Sequence, residues 1–273
     1  MNSGSIHNES VAEKAFTAQS VKFDLLYEKD AIIRYKRKRV RDHMELFISA
    51  PSALLELNAG TGEDALYFAA GGHQVHATDI STGMIEVIRK KLNSHTFPGH
   101  VTLENCSFHN LDSLQQRGPY DHVYSNFGGL NCTQHLDKVL VSLNSLIKPG
   151  GFVTLVIISR FCLWETLLVF KGKFKTAFRR FFSRSGRKAH VEGNYFLCYY
   201  YQPSYIIKNL PDFELQQLEG LCTLVPPSYI EGFGEKHPSF FSFLRSLEDR
   251  WKGKWPWNKM GDYFIITLRK KIN

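Results

Sequence analysis

Two acids and a pair of glycines at fixed spacing carry the clearest chemical signal in this chain. Leu54 to Gly62 reads L-L-E-L-N-A-G-T-G: an apolar run ends in Glu56, passes Gly60 and Gly62, and opens at Glu63 into helical spacing. A strand, tight turn and helix of this kind lets the backbone approach a ligand closely, and the unpaired N–H groups of the first helical turn point at it. Asp79 follows in Q-V-H-A-T-D-I-S, behind a stretch where Val75 and Ala77 alternate with polar residues. An acid that ends a second parallel strand stands where a ribose presents its hydroxyls. A glycine turn alone is also what any tight turn looks like, and Asp79 could simply cap the helix that Ser81 begins. Strand, turn, acid and helix in this order favour a nucleotide-like ligand.

These residues resemble a known family. E-L-N-A-G-T-G followed by H-A-T-D-I-S-T-G-M is similar to the E-x-G-x-G-x-G and second-strand acid motifs of class I S-adenosylmethionine-dependent methyltransferases, small-molecule type. Y-D-H-V-Y-S-N-F-G-G-L-N-C (120–132) resembles that family's fourth-strand motif, and L-I-K-P-G-G-F-V-T-L-V-I-I (146–158) its turn into the fifth strand. The likeness covers about half the chain. One departure is Asn58, at the place of the family's first glycine; Asn is the non-glycine residue that best tolerates left-handed backbone, so the turn should survive. The resemblance implies S-adenosyl-L-methionine as cofactor, held by Glu56, Asn58, Ala59, Gly60, Gly62, Asp79, Ile80, Met84, Ser107, Phe108, Asn126 and Phe127. Met84 would support adenine, or serve only the core. Ser107 occupies the place where many relatives carry an acid that accepts from the adenine amino group. Helices before the first strand commonly fold over the cofactor in this family, so Tyr27 is expected at the methionine end and one of the nearby arginines at the cofactor carboxylate.

The elements that must position these groups alternate. Strands and helices from 54 to 158 imply a doubly wound, mostly parallel α/β sheet with helices on both faces, and the resemblance raises the expectation to the seven-stranded Rossmann-like methyltransferase fold. Ligands then lie at the carboxyl ends of the strands, which puts Glu56, Asp79, Ser107 and Asn126 along one edge. Four segments follow: a tail and helical lid (1–50), the cofactor-binding core (51–159), a substrate-cap insertion (160–204), and the remainder of the sheet (205–273). Residues 1 to about 15 read as a disordered or lightly docked tail, and 21–47 as helix, its run of basic residues from Arg34 to Arg41 a solvated face.

Length and composition bound the rest. With 273 residues and 43% hydrophobic content, one good core can form. No apolar run approaches the roughly 18 residues of a membrane span, and the first residues lack a signal-peptide pattern, so a cytoplasmic location is expected. Five scattered cysteines contain no C-x-x-C pair, so neither a zinc site nor a disulfide framework is indicated. A net charge of +8 leans toward anionic partners. No hard-cation site is expected, because the fourth-strand turn supplies Ser125, Asn126 and Asn131 without a carboxylate.

Methyl transfer from a sulfonium is an in-line displacement, so positioning supplies much of the catalysis. A hydroxyl or carbon acceptor also needs a base, for which His135 and His109 are the candidates near the strand ends, each with an ordinary helix-start or loop reading beside it. In the insertion, Trp164, Leu167, Leu168 and Phe170 offer an apolar wall. Lys171, Lys173, Lys175, Arg179, Arg180, Arg184, Arg187 and Lys188 offer a positive rim. Together they suit a small-molecule or amphipathic, acidic acceptor. The same stretch also fits an interfacial helix on an anionic membrane, or a solvated charge run beside core aromatics. Two rival functions stay open. The basic clusters suit an RNA methyltransferase, although the N/D-P-P-Y/F pattern of amino-base methylating relatives is missing; and a fold relative could bind S-adenosylmethionine or S-adenosylhomocysteine without methyl transfer.

Overall fold

The computed structural model describes residues 3–27, 30–49, 51–183 and 185–272. Two helices, α1 (Ser3–Tyr27) and α2 (Ala31–Glu45), precede an alternating run: β1 (Ala53–Leu57), α3 (Glu63–Ala70), β2 (Gln74–Asp79), α4 (Thr82–Ser94), β3 (His100–Asn105), β4 (Tyr120–Ser125), α5 (Leu136–Leu146) and β5 (Ile147–Ile158). The insertion follows, with short helices α6 (Leu163–Thr166) and α7 (Phe174–Ala177) and a hairpin of β6 (Arg187–Val191) and β7 (Asn194–Cys198). Helix α8 (Pro203–Asn209), β8 (Phe213–Leu221), α9 (Phe233–Lys236), α10 (Pro238–Trp251) and β9 (Tyr263–Lys270) complete the chain.

The seven-stranded sheet runs in the order β3-β2-β1-β4-β5-β9-β8. β1 to β5 are parallel to one another, and β9 pairs antiparallel with both β5 and β8. A parallel strand covered on both faces reads as a continuous apolar run. In β1, Leu55 and Leu57 pack with Leu140 and Leu143 of α5, while Leu54 packs on the other face with Phe68 of α3, Ile88 of α4 and Met44 of α2. The strand order reverses between β1 and β4, so the crevice above their carboxyl ends is where a ligand belongs.

The amino-terminal residues are not a tail. Residues 3–27 form one helix that crosses the carboxyl edge of the sheet, between α4 and the β6–β7 hairpin. The docking combines an apolar cluster, in which Ala12, Ala15 and Phe16 meet Phe196 of the hairpin, with hydrogen bonds. The Asn8 amide donates to the carbonyls of Cys132 (2.7 Å) and Leu197 (3.1 Å), and its oxygen accepts from the Leu197 N–H (2.5 Å). Thr17 and Ser81 share a 2.8 Å hydroxyl contact, and Ala15 is fully buried. Gly83 permits the approach, since a Cβ there would lie 2.9–3.1 Å from Ser20 and Thr17.

Asp30 caps α2, its carboxylate accepting from the N–H groups of Ile32 and Ile33. The basic run of α2 is only in part a solvated face, with Arg34 and Lys38 exposed. Lys36 and Arg39 are buried; Arg39 pairs with Glu219 at 2.8 Å, and the Lys36 ammonium lies 4.3 Å from the Tyr263 ring centroid and 5.5 Å from that of Phe127.

Candidate active site

A cavity of about 170 Å³ lies over the carboxyl ends of β1, β2 and β4. Its floor is the turn after β1. Asn58 (φ 57°) and Gly60 (φ 56°) are left-handed, so the backbone doubles back beneath the space above it, and nothing would meet a Cβ at Gly60. The Asn58 amide donates to the Ser125 hydroxyl at 3.0 Å, and Gly129 leaves the space that this side chain fills. Asn therefore keeps the turn geometry that the family's glycine usually supplies.

Asp79 ends β2 and accepts from the N–H groups of Gly60 (2.9 Å) and Ser81 (2.8 Å), one on each oxygen. Burial pushes its pKa up to about 6, against the pull of those two bonds. Each carboxylate oxygen has a further lone pair for a ligand hydroxyl. The cap of α4 is Ser81, whose hydroxyl accepts from the Met84 N–H, while Asp79 only braces Ser81 and keeps capacity to spare.

At the β1–β4 end, burial and then the neighbouring Asp64 carboxylate raise Glu56 well above the ordinary carboxylate range; Tyr124 donates to it at 3.2 Å. Asp64 accepts from Arg41 Nε (2.7 Å) and from Asn126 Nδ2 (2.9 Å), and pairs with Arg37 at 3.4 Å. That leaves Asn126 Oδ1 buried without a hydrogen-bond partner, on a residue that lines the cavity. An orphaned buried carbonyl beside a buried carboxyl is a set of acceptors that an ammonium group, with three donors, satisfies.

The opposite end is apolar. Ile80, Met84 and Phe108 line it. Ser107 does not, because its hydroxyl donates to Glu9 of α1 while it accepts from the His109 N–H at 3.0 Å. Glu9 itself lines the cavity, and burial raises its pKa. An acid therefore reaches this end, delivered by α1 rather than by the loop after β3. Ala12, Glu13, Phe16 and Phe23 of the same helix complete the cover.

Glu56, Asn58, Ala59, Gly60, Asp79, Ile80, Met84, Phe108, Asn126 and Phe127 all line this one cavity. Gly62 stands below it: its φ of 77° and the contact its Cβ would make with Ile88 give it a packing role between α3 and α4. Tyr27 ends α1, and its side chain lies outside the described residues. His135 precedes α5, where its N–H donates to the Thr133 hydroxyl, and does not line the cavity. His109 does not line it either; burial lowers its pKa to about 4. The structure therefore brings neither histidine to the cavity wall. Glu9, Phe16 and Arg37 are lining residues beyond the cofactor set read from the motifs, although Arg37 falls within the basic run expected to supply a carboxylate partner.

The insertion does not line this cavity, so the cover over it is α1. Arg179 and Arg180 are not a rim. Arg180 is buried and donates to Glu165 (2.6 Å), to the Asp262 carboxylate (2.5 Å) and to the carbonyls of Ser159 and Asp262, while Arg179 clasps Glu165 with two bonds. Cys162, Glu165 and Asp262 lie close enough together to hold a cation, but the Arg180 guanidinium already supplies the positive charge there.

Residues 54–151 match a family model described as a methyltransferase domain. This part of the chain is thus similar to methyltransferase domains, and the chain shares the fold of solved methyltransferases. It is 33% identical over 106 residues to demethylmenaquinone methyltransferase of Clavibacter sepedonicus, covering 39% of this chain and 41% of that protein. It is 28% identical over 116 residues to the S-adenosyl-L-methionine-dependent Diels-Alderase iccD of Talaromyces variabilis, covering 42% and 39%. The chain thus spans about two fifths of the length of these curated relatives. Among solved structures it resembles magnesium protoporphyrin IX methyltransferase (ChlM) of Synechocystis PCC 6803 with bound SAH, at a TM-score of 0.60 and 14% identity, covering 97% of this chain and all of that one. Among the described residues, no helix is long and apolar enough to cross a membrane.

Proposed function

We propose that the chain binds S-adenosyl-L-methionine in the α1-covered cavity and moves its methyl group to a small-molecule acceptor. The observation that carries this reading is the order of groups along one edge: apolar walls at Ile80, Met84 and Phe108, the Asp79 carboxylate, then Glu56 with the orphaned Asn126 carbonyl. That order matches adenine, ribose and the methionine ammonium. Arg37, which lines the same end, supplies the charge for the methionine carboxylate. Glu9 takes the place of the acid that accepts from the adenine amino group. When bound, the cofactor supplies an electrophilic methyl on a sulfonium.

What the protein contributes is position and charge. The carboxylates of Glu9, Glu13, Glu56, Asp64 and Asp79 make the cavity hospitable to a cation. α1 excludes water from it. With neither histidine on the wall, the only bases there among the described residues are carboxylates, weak bases that suit an acceptor arriving with its lone pair free: an amine, a carboxylate or an already ionised oxygen or carbon. A second hollow of about 680 Å³ shares Phe23, Arg37 and Glu63 with the first and carries Lys38 and Arg41 on its wall, which suits an acceptor with an acidic group.

The Diels-Alderase relative favours a second reading, in which the cofactor is held and no methyl is transferred. Incubation with methyl-labelled cofactor and fractionated cell extract separates the two. Label in a small-molecule fraction supports transfer; tight cofactor binding with no labelled product supports the second reading. Label in RNA would contradict both.

A further inference from the structure

The outer surface of the insertion has a pattern that the cofactor site does not use. Phe170, Phe174, Phe178 and Phe182 recur every four residues and are 86%, 58%, 40% and 77% exposed. Leu167, one turn earlier, is also exposed. Spacing of four places Phe174 and Phe178 on one side of the α7 turn. Lys171, Lys173 and Lys175 stand between these rings, exposed, and none forms a salt bridge among the described residues. From Thr166 to Val191 the sequence contains no Asp or Glu at all. Of the two acids that flank this stretch, Glu165 is buried and saturated by Arg179 and Arg180, and Glu192 lies in the turn of the β6–β7 hairpin, ten residues beyond Phe182.

The inner side of the same segment is fixed. Arg180 ties it to Ser159 and Asp262 at the end of the sheet, and its own base is braced by Glu165. The phenylalanines are therefore not turned outward for want of an anchor. Exposed aromatic and aliphatic side chains flanked by lysines, with no acid among them, have the composition of a surface that meets both hydrocarbon and phosphate. We propose that this stripe docks on the surface of an anionic lipid bilayer. The phenylalanines enter the boundary between headgroups and acyl chains, and Lys171, Lys173 and Lys175 meet lipid phosphates. The proposal does not depend on the cofactor reading, since none of these residues lines the cavity.

The test is flotation of the full chain with vesicles of phosphatidylcholine alone and of phosphatidylcholine mixed with phosphatidylglycerol. Two variants accompany it, K171Q/K173Q/K175Q and F170S/F174S, with circular dichroism and melting midpoint confirming that both fold. The wild type is expected to float with the mixed vesicles only, and less so in high salt. Each lysine near an anionic surface contributes about fivefold, so the triple variant should bind on the order of 100-fold more weakly. The phenylalanine variant should lose about tenfold or more. Failure of the wild type to float with the mixed vesicles would overturn the proposal. So would full flotation of F170S/F174S, which would reduce the contact to charge alone. Capture by single-stranded RNA, or dimerisation in sedimentation, without vesicle binding would assign the surface to another partner and also overturn it. Binding of S-adenosylhomocysteine is expected to be the same in all three proteins, so failure of either proposal is recognised separately.

Discussion

Replacement of Asp79 tests the ribose assignment, and its effect can be worked out from the site. The carboxylate already accepts from Gly60 and Ser81, and a cofactor ribose would use the remaining lone pairs. Hydrogen bonds to a charged group contribute about 1.5–3 kcal/mol, so Asp79→Ala should weaken S-adenosylhomocysteine by about ten- to hundredfold in calorimetry. The pH profile sharpens the test. Burial pushes the Asp79 pKa up to about 6, and only the ionised form accepts two hydroxyls. Affinity should therefore be flat above neutrality and fall roughly tenfold per pH unit below about 6. Without ligand the sign is reversed. An acid whose folded pKa exceeds its unfolded value favours folding when protonated, so this group's contribution to stability declines as pH rises from about 4 to about 6. Asp79→Asn should flatten both trends down to the part that Glu56 contributes. Unchanged affinity in a folded Asp79→Ala protein, or affinity that rises as pH falls, would refute the assignment.

Other substitutions probe the rest of the site. Asn126→Leu, which deletes the unpaired carbonyl, should weaken S-adenosylhomocysteine by about tenfold while hardly affecting its decarboxylated amine-free analogue, measured by calorimetry. Gly83→Val should push α1 off α4 through Thr17 and Ser20, raising the cofactor dissociation constant and the protease sensitivity of residues 3–27 with the sheet's melting midpoint little changed. Arg180→Met breaks a buried ion cluster, and a loss of about 3–5 kcal/mol in denaturant unfolding is expected; unaltered stability would show that the cluster does not anchor the insertion. His135→Ala should leave turnover within about twofold once an acceptor is known, and a loss of a hundredfold or more would make an imidazole outside the cavity wall the base.

The sheet was legible because its strands are buried on both faces. Leu54 to Leu57 and Phe152 to Ile158 are near-continuous apolar runs, and the turn after the first carries Asn58, Gly60 and Gly62 where left-handed backbone is needed. The floor of the cavity was legible for the same reason, since Asn58, Gly60 and Asp79 sit at fixed offsets from strand ends. The cover was not. The buried stripe of α1 runs through Asn8, Ala12, Ala15 and Gln19, small or polar residues that leave no apolar periodicity, and its partners, among them Cys132, Phe196 and Leu197, are more than a hundred residues away in sequence. Glu9 and Phe16 were missed with it. The basic runs misled in a related way. A cluster of Lys and Arg reads as solvated, but Arg39 and Arg180 are buried because Glu219, Glu165 and Asp262 arrive from distant elements to meet them. Local sequence does not record which distant acid a cation will face.

The central claim is that one edge of the sheet holds the cofactor in a stated order, and a crystal structure with S-adenosylhomocysteine tests it most directly. Adenine should lie among Ile80, Met84 and Phe108 with its amino group toward Glu9, the ribose hydroxyls on Asp79, the ammonium against Asn126 Oδ1 and Glu56, and the carboxylate toward Arg37. A ligand bound the other way round, or bound outside the space under α1, would contradict the account.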